Sequence, residues 1–239
     1  MTDATYATQD RLYHFVGRSE QTDDGRYNLL VNTILAKQSL RHPPFTDDGS
    51  CYGYRLRTTA QGWIGSLLHE KQGPPPGDLI FDNIICFADI PKPYLAPHMQ
   101  HYSQFGLGFG KTYLAQRGAR PVMYYPYWTQ NAFASLHGAT SLAELSARLA
   151  DIAEHRTDLP AAFERDFMLG FLAYLKPFHV GLPLQDPSNH YMEREWRKIG
   201  YLDFALDDVA EVILPQRYVD QFACDVPQLA CRVTTVEQL

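Results

Sequence analysis

The segment Phe105-Gly106-Leu107-Gly108-Phe109-Gly110 limits what this chain can build more than any other stretch. Large apolar residues alternate with glycines. Because successive side chains of a strand point to opposite faces, one face carries Phe105, Leu107 and Phe109 while the other is bare backbone. A strand with one naked face invites close approach by whatever packs there. Lys111-Thr112 completes a Gly-Lys-Thr tripeptide, but the GxxxxGK[ST] spacing of a phosphate loop is absent, which excludes a nucleotide triphosphatase of that type. Lys111, Arg117 and Arg120 remain as solvated surface or as contacts to a phosphate.

The rest of the pattern mixes periods of two and of about 3.6. Arg11 to Val16 reads as a first strand carrying His14, ended by Gly17 and a polar run through Gly25. Tyr27, Leu30, Val31, Ile34 and Leu35 give a helix over Tyr27 to Lys37 with one buried face. Trp63, Ile64, Leu67 and Leu68 give a weaker helical pattern, interrupted by Gly65. Leu79 to Ile90 contains Ile84-Ile85-Cys86-Phe87, expected as a central buried strand stopped by Pro91. A helix is expected over Tyr94 to Tyr102 and a strand over Pro121 to Tyr125. Two helices follow, one opened by the Ser141/Glu144 capping box and one after Asp158, and both read as packing helices. Val209 to Leu214 reads as a strand and Pro215 to Phe222 as a short helix. The expected fold is α+β, a single domain over 1–239 with a mixed or split antiparallel sheet and flanking helices.

Charge and composition narrow the partners. With 21 basic against 27 acidic residues the net charge is −6, so long-range electrostatics repel polyanions and nucleic-acid binding is disfavoured. No basic leader precedes an apolar run, and no stretch reaches the roughly 18 apolar residues of a membrane span, which points to the cytoplasm. Cys51, Cys86, Cys224 and Cys231 are scattered without a CxxC pair, as reduced structural thiols would be.

Chemistry concentrates in Glu193-Arg194-Glu195-Trp196-Arg197. On a strand, Glu193, Glu195 and Arg197 would share one face, and two carboxylates one pleat apart suit sugar or acid-base chemistry. The alternative is a solvated edge strand with paired charges. His98 and His101 would share a helix face, but no third or fourth metal ligand follows, so no metal is expected. Tyr113, Tyr124, Tyr125, Tyr127 and Trp128 could stack on bases, although without interleaved basic residues core packing is the better reading.

An early His and a late ExE follow the order seen in ADP-ribosyltransferases, which the chain weakly resembles. The resemblance implies NAD as cofactor, with Glu195 as catalytic carboxylate and Glu193 orienting or deprotonating the acceptor. His14 would position NAD, with Tyr102 and Tyr113 stacking on nicotinamide and Arg197 in the cofactor site. The Ser-Thr-Ser strand that usually precedes the ExE is not recognisable. A second, broader resemblance rests on Leu12 to Gly17, on Ile85 to Pro91 with Tyr102 to Val122, and on Glu193 to Arg197. These blocks look like the AbiGi-type abortive-infection family of bacterial phage-resistance proteins. That implies a role in abortive infection or in a toxin-antitoxin pair, with a protein partner from the same defence system. Two readings stay open: an NAD-using ADP-ribosyltransferase or glycohydrolase, and a non-catalytic antitoxin or sensor acting through a protein or nucleic-acid interface.

Overall fold

A computed structural model describes residues 10–41, 52–59, 62–69, 79–82, 84–127, 174–179, 181–183, 186 and 190–239. The strands, in chain order, are β1 (Arg11–Phe15), β2 (Ser39–Leu40), β3 (Tyr52–Thr59), β4 (Gly62–His69), β5 (Leu79–Asp82), β6 (Ile84–Phe87), β7 (Gly106–Gly110), β8 (Arg120–Pro121), β9 (Met123–Tyr127), β10 (Leu175–His179), β11 (Trp196–Ile199), β12 (Leu202–Asp203), β13 (Val209–Leu214) and β14 (Val233–Thr235). The α-helices among the described residues are α1 (Asp23–Asn28), α2 (Leu95–His101), α3 (Lys111–Gln116) and α4 (Val219–Asp225). The architecture is α+β, as the mixed periodicity predicts. Two compact units form, one from Met1–Arg41, Ile85–Arg120 and Glu193–Leu239, the other from His42–Ile84 and Pro121–Met192.

The first unit is organised by the glycine-rich strand. β7 lies inside a four-stranded sheet of order β1-β7-β13-β14, antiparallel to both neighbours, while β14 runs parallel to β13. Leu107 and Phe109 are fully buried together with Leu12, Val212, Leu214 and Phe222. The bare face is approached as the sequence predicts. A Cβ at Gly108 would lie 2.9 Å from the Tyr13 ring and 3.2 Å from Cβ of Glu211, and one at Gly106 would lie 2.9 Å from the Phe15 ring. Distances under 3.0 Å leave no room for a methyl group, so the two glycines let aromatic rings of β1 lie against the backbone of β7.

The helix expected over Tyr27 to Lys37 begins earlier, at Asp23. The Thr22 hydroxyl accepts from the Gly25 N–H at 3.1 Å, and Asp23 and Asp24 in the first turn favour the positive end of the helix. From Leu29 to Leu35 it widens into a π-helix. The predicted apolar face, Tyr27, Leu30, Val31, Ile34 and Leu35, is buried throughout. Gln38, with φ 50°, turns the chain into β2, which pairs antiparallel with β12. A three-stranded sheet of order β6-β11-β8 completes the unit.

Two expectations are corrected here. The run Ile84 to Phe87 within Leu79 to Ile90 forms the expected buried strand, β6, separate from β5, but β6 stands at the end of its three-stranded order and not at a centre. The weak helical pattern around Trp63 is a strand, because β4 pairs with β3 from Tyr52↔His69 to Thr59↔Gly62, and this long ladder outweighs a local helical spacing that Gly65 already weakens. In the second unit β3 lies between β4 and β5, and β9 pairs in parallel with β10. The helices expected near Ser141 and Asp158, and the proline-rich segment at Pro74, lie outside the described residues. No helix among the described residues is long and apolar enough to cross a membrane.

Candidate functional site

Glu193 to Arg197 does not run as a single strand. A 3-10 turn, His190–Glu193, ends at Glu193, Arg194 adopts φ 44°, and β11 starts only at Trp196. The expected common face for Glu193, Glu195 and Arg197 is therefore broken at Arg194, and the two carboxylates meet different partners. The Tyr102 hydroxyl donates to Glu193 Oε1 at 2.5 Å. Arg197 Nε donates to Glu195 Oε1 at 2.7 Å, with both side chains buried. A buried ion pair of this kind is charge-assisted, and removing one partner takes a counter-charge from the other in a low dielectric.

Asp89, just past β6, ties this turn to the rest of the unit. Its backbone N–H donates to the Glu193 carbonyl at 3.2 Å. Lys111, the first residue of α3, donates to Asp89 Oδ2 at 2.9 Å, and Arg194 Nη2 stands 3.5 Å from the same oxygen. Lys111 Nζ is also 5.7 Å from the centroid of the Trp196 ring, within cation–π range. Asp89 is 5% exposed, and its other oxygen, Oδ1, is buried without a hydrogen-bond partner among the described residues. A left-handed non-glycine residue costs on the order of 1–3 kcal/mol, and here it sits beside an unsatisfied carboxylate oxygen. Strain and an orphaned acceptor thus occur within one small cluster.

The other residues singled out in the sequence fall in several places. His14 lies on β1, with Nδ1 2.8 Å from the Cys86 carbonyl and its ring 5.8 Å from that of Phe87. Tyr102 is packed against both imidazoles of α2, 4.4 Å from His98 and 4.9 Å from His101, with the Arg18 guanidinium 5.0 Å from its ring. The two histidines therefore surround a tyrosine, and no group of three or more metal-ligating side chains occurs among the described residues. Tyr113 stacks on Phe109 at 6.1 Å and lies 4.9 Å from the Arg117 guanidinium. Burial, with the charge of Asp208, pushes its phenol up to about 12. Arg117 and Arg120 donate to backbone carbonyls, Arg117 to Asp203 and Arg120 to Ala115 and Ala119. Tyr102 and Glu193 are brought together, as are Glu195 and Arg197. His14 is anchored to the β6 backbone and Tyr113 to the α3 side of the core.

Sequence reasoning missed a second buried carboxylate. Glu211 of β13 sits opposite Gly108, 2% exposed, and accepts from Arg11 at 2.8 Å and Tyr13 at 2.9 Å, as well as from Lys92 and Thr234. Burial alone would raise its pKa, but the four donors outweigh burial and hold it below the usual carboxylate range. Burial and the Glu211 charge in turn push the Tyr13 phenol up. The available signal was a lone charge inside the apolar run Val209 to Leu214, paired with alternating Arg11 and Tyr13 on β1.

The family model described as "Putative abortive phage resistance protein AbiGi, antitoxin" matches residues 82–220, more than half of the chain. The chain belongs to the AbiGi family. The AbiGi match contains Asp89, Tyr102, Lys111, Glu193 to Arg197 and Glu211, whereas His14 and the rest of β1 precede it. No curated protein and no solved structure matches the chain.

Proposed function

We propose that this AbiGi protein is the antitoxin side of a phage abortive-infection pair and neutralises a cognate toxin protein by direct, non-catalytic binding. Membership of a family described as antitoxin carries this reading. The geometry agrees with it. A transferase built on Glu195 needs that carboxylate open to a ribose, yet Glu195 is 4% exposed and bonded to Arg197, and Glu193 is engaged by Tyr102. Both carboxylates are thus held by neighbouring side chains, which favours a binding role over an NAD-dependent one.

The test is co-expression in a bacterial host with the toxin encoded by the same defence system. The chain should restore growth and co-purify with the toxin. Protection should survive in Glu193→Gln and in the paired Glu195→Gln/Arg197→Gln variant, which removes both charges together. If folded variants still bound the toxin but no longer protected, or if purified chain released nicotinamide from NAD, the non-catalytic reading would be wrong.

A further inference from the structure

Buried carboxylate oxygens without a partner are rare in native proteins, because a lost hydrogen bond to a charged acceptor is not compensated by anything in an apolar surrounding. Among the described residues Asp89 Oδ1 has no partner, and it lies in a side chain 7% exposed. Its setting is specific. The companion oxygen Oδ2 faces two cations, Lys111 at 2.9 Å and Arg194 at 3.5 Å, and an indole ring lies under Lys111. Arg194 is the loosest member, because 3.5 Å exceeds a good N–H···O distance, its side chain is 50% exposed, and its backbone is left-handed. Arg194 is thus the member most free to move, and its departure leaves the Lys111 bond to Oδ2 in place.

We propose that Asp89, Lys111 and Trp196 form a binding site for a vicinal diol, the hydroxyl pair of a ribose or of a hexose, with Arg194 as its displaceable cover. The chemistry selects this class. A free anion would be drawn by Lys111 and Arg194 but repelled by Asp89, and a cation would meet the reverse. A hydroxyl both donates and accepts. One hydroxyl of a diol donates to Asp89 Oδ1, supplying the missing partner, while its neighbour accepts from Lys111, and the apolar face of the sugar ring packs on Trp196. Such a site is separate from the toxin-neutralising reading and stands whether or not that reading holds.

The experiment is ligand-observed saturation-transfer NMR on the full chain, titrating D-ribose, adenosine, NAD and D-glucose, with glycerol as a flexible diol control. Ring-borne diols are expected to bind and glycerol to bind at least several-fold more weakly. Saturation by ribose, adenosine and NAD but not glucose identifies a ribosyl ligand, and the converse a hexose. Asp89→Asn and Lys111→Met should each weaken binding about 10-fold or more, the usual cost of losing a hydrogen bond to a charged group. Arg194→Gly should tighten it several-fold, by removing the cover. That opposite sign cannot arise from misfolding. Failure of every ring-borne diol to bind, or binding unchanged in Asp89→Asn, overturns the proposal.

Discussion

Replacing Glu211 by alanine tests the account of the glycine-faced sheet most directly. Glu211 is the hub of four donors, and their losses are unequal. The Tyr13 hydroxyl is buried and would be left without its acceptor, at about 1–3 kcal/mol. Arg11 and Lys92 have side chains 43% and 38% exposed and Thr234 is half-buried, so all three can turn to water and contribute little more than about 1 kcal/mol together. The sum is about 3 kcal/mol, which for a chain of this size lowers Tm by about 6–12 °C. Glu211→Gln retains an acceptor of the same shape and should cost about half as much. The carboxyl of Glu211 is held below its ordinary value of 4.5. Its charge-dependent stabilisation is therefore complete above that value and is lost as pH falls through the lower, folded-state value. Differential scanning fluorimetry at pH 7 and in steps below pH 4.5 should show the gap between wild type and Glu211→Gln closing on acidification. A loss of under about 1 °C for Glu211→Ala, or a Glu211→Gln gap that persists unchanged at low pH, would refute the reasoning.

Three further outcomes follow from the same geometry. Gly108→Val drives a branched side chain into the Tyr13 ring and Glu211 Cβ, and should destabilise by at least about 1–3 kcal/mol in a denaturant melt, whereas Gly118→Ala, whose Cβ meets nothing within 4 Å but whose φ is +94°, should lose about 1–2 kcal/mol from backbone strain alone. Glu195→Ala takes one buried counter-charge from Arg197 and should cost about 1.5–3 kcal/mol, while the paired Glu195→Gln/Arg197→Gln variant should recover part of that loss in the same melt. The phenol of Tyr113 is raised from 10 to about 12, so its contribution to stability is intact below pH 10 and disappears as pH rises towards 12; in a spectrophotometric titration of phenolate, Tyr113→Phe should remove signal near pH 12 and none near pH 10.

Much of the first unit was legible from spacing alone. The alternation in Phe105 to Gly110 predicts both the strand and the close approach to its bare side, and the three- and four-residue spacing from Tyr27 to Leu35 identifies a buried face that the structure keeps even where the helix widens. The errors share a cause. Trp63 to Leu68 was read locally, whereas its conformation is decided by an eight-residue ladder with β3. Glu193 and Glu195 were assigned to one face by assuming uninterrupted extension, and a single left-handed residue cancels that inference. Asp89 and Glu211 each stood in view as one charge within an apolar run. Their significance depends on partners far away in the chain, Lys111 and Arg194 for one, Arg11 and Thr234 for the other, and no local window contains those pairs.

The threading of the first unit through three chain segments has a consequence for how it can be made. β1 and β7 can pair early, but the strand that covers the other side of β7, with the carboxylate that Arg11 and Tyr13 require, follows roughly 100 residues later. At ribosomal speeds that is a delay of about 5–20 s. Throughout that interval the nascent chain carries an open hydrogen-bonding edge on β7, beside Arg11 and Tyr13 without the carboxylate that binds them when folded. Synthesis of this protein therefore passes through a stage at which it is most exposed to mispairing, and the emergence of β13 is what ends it.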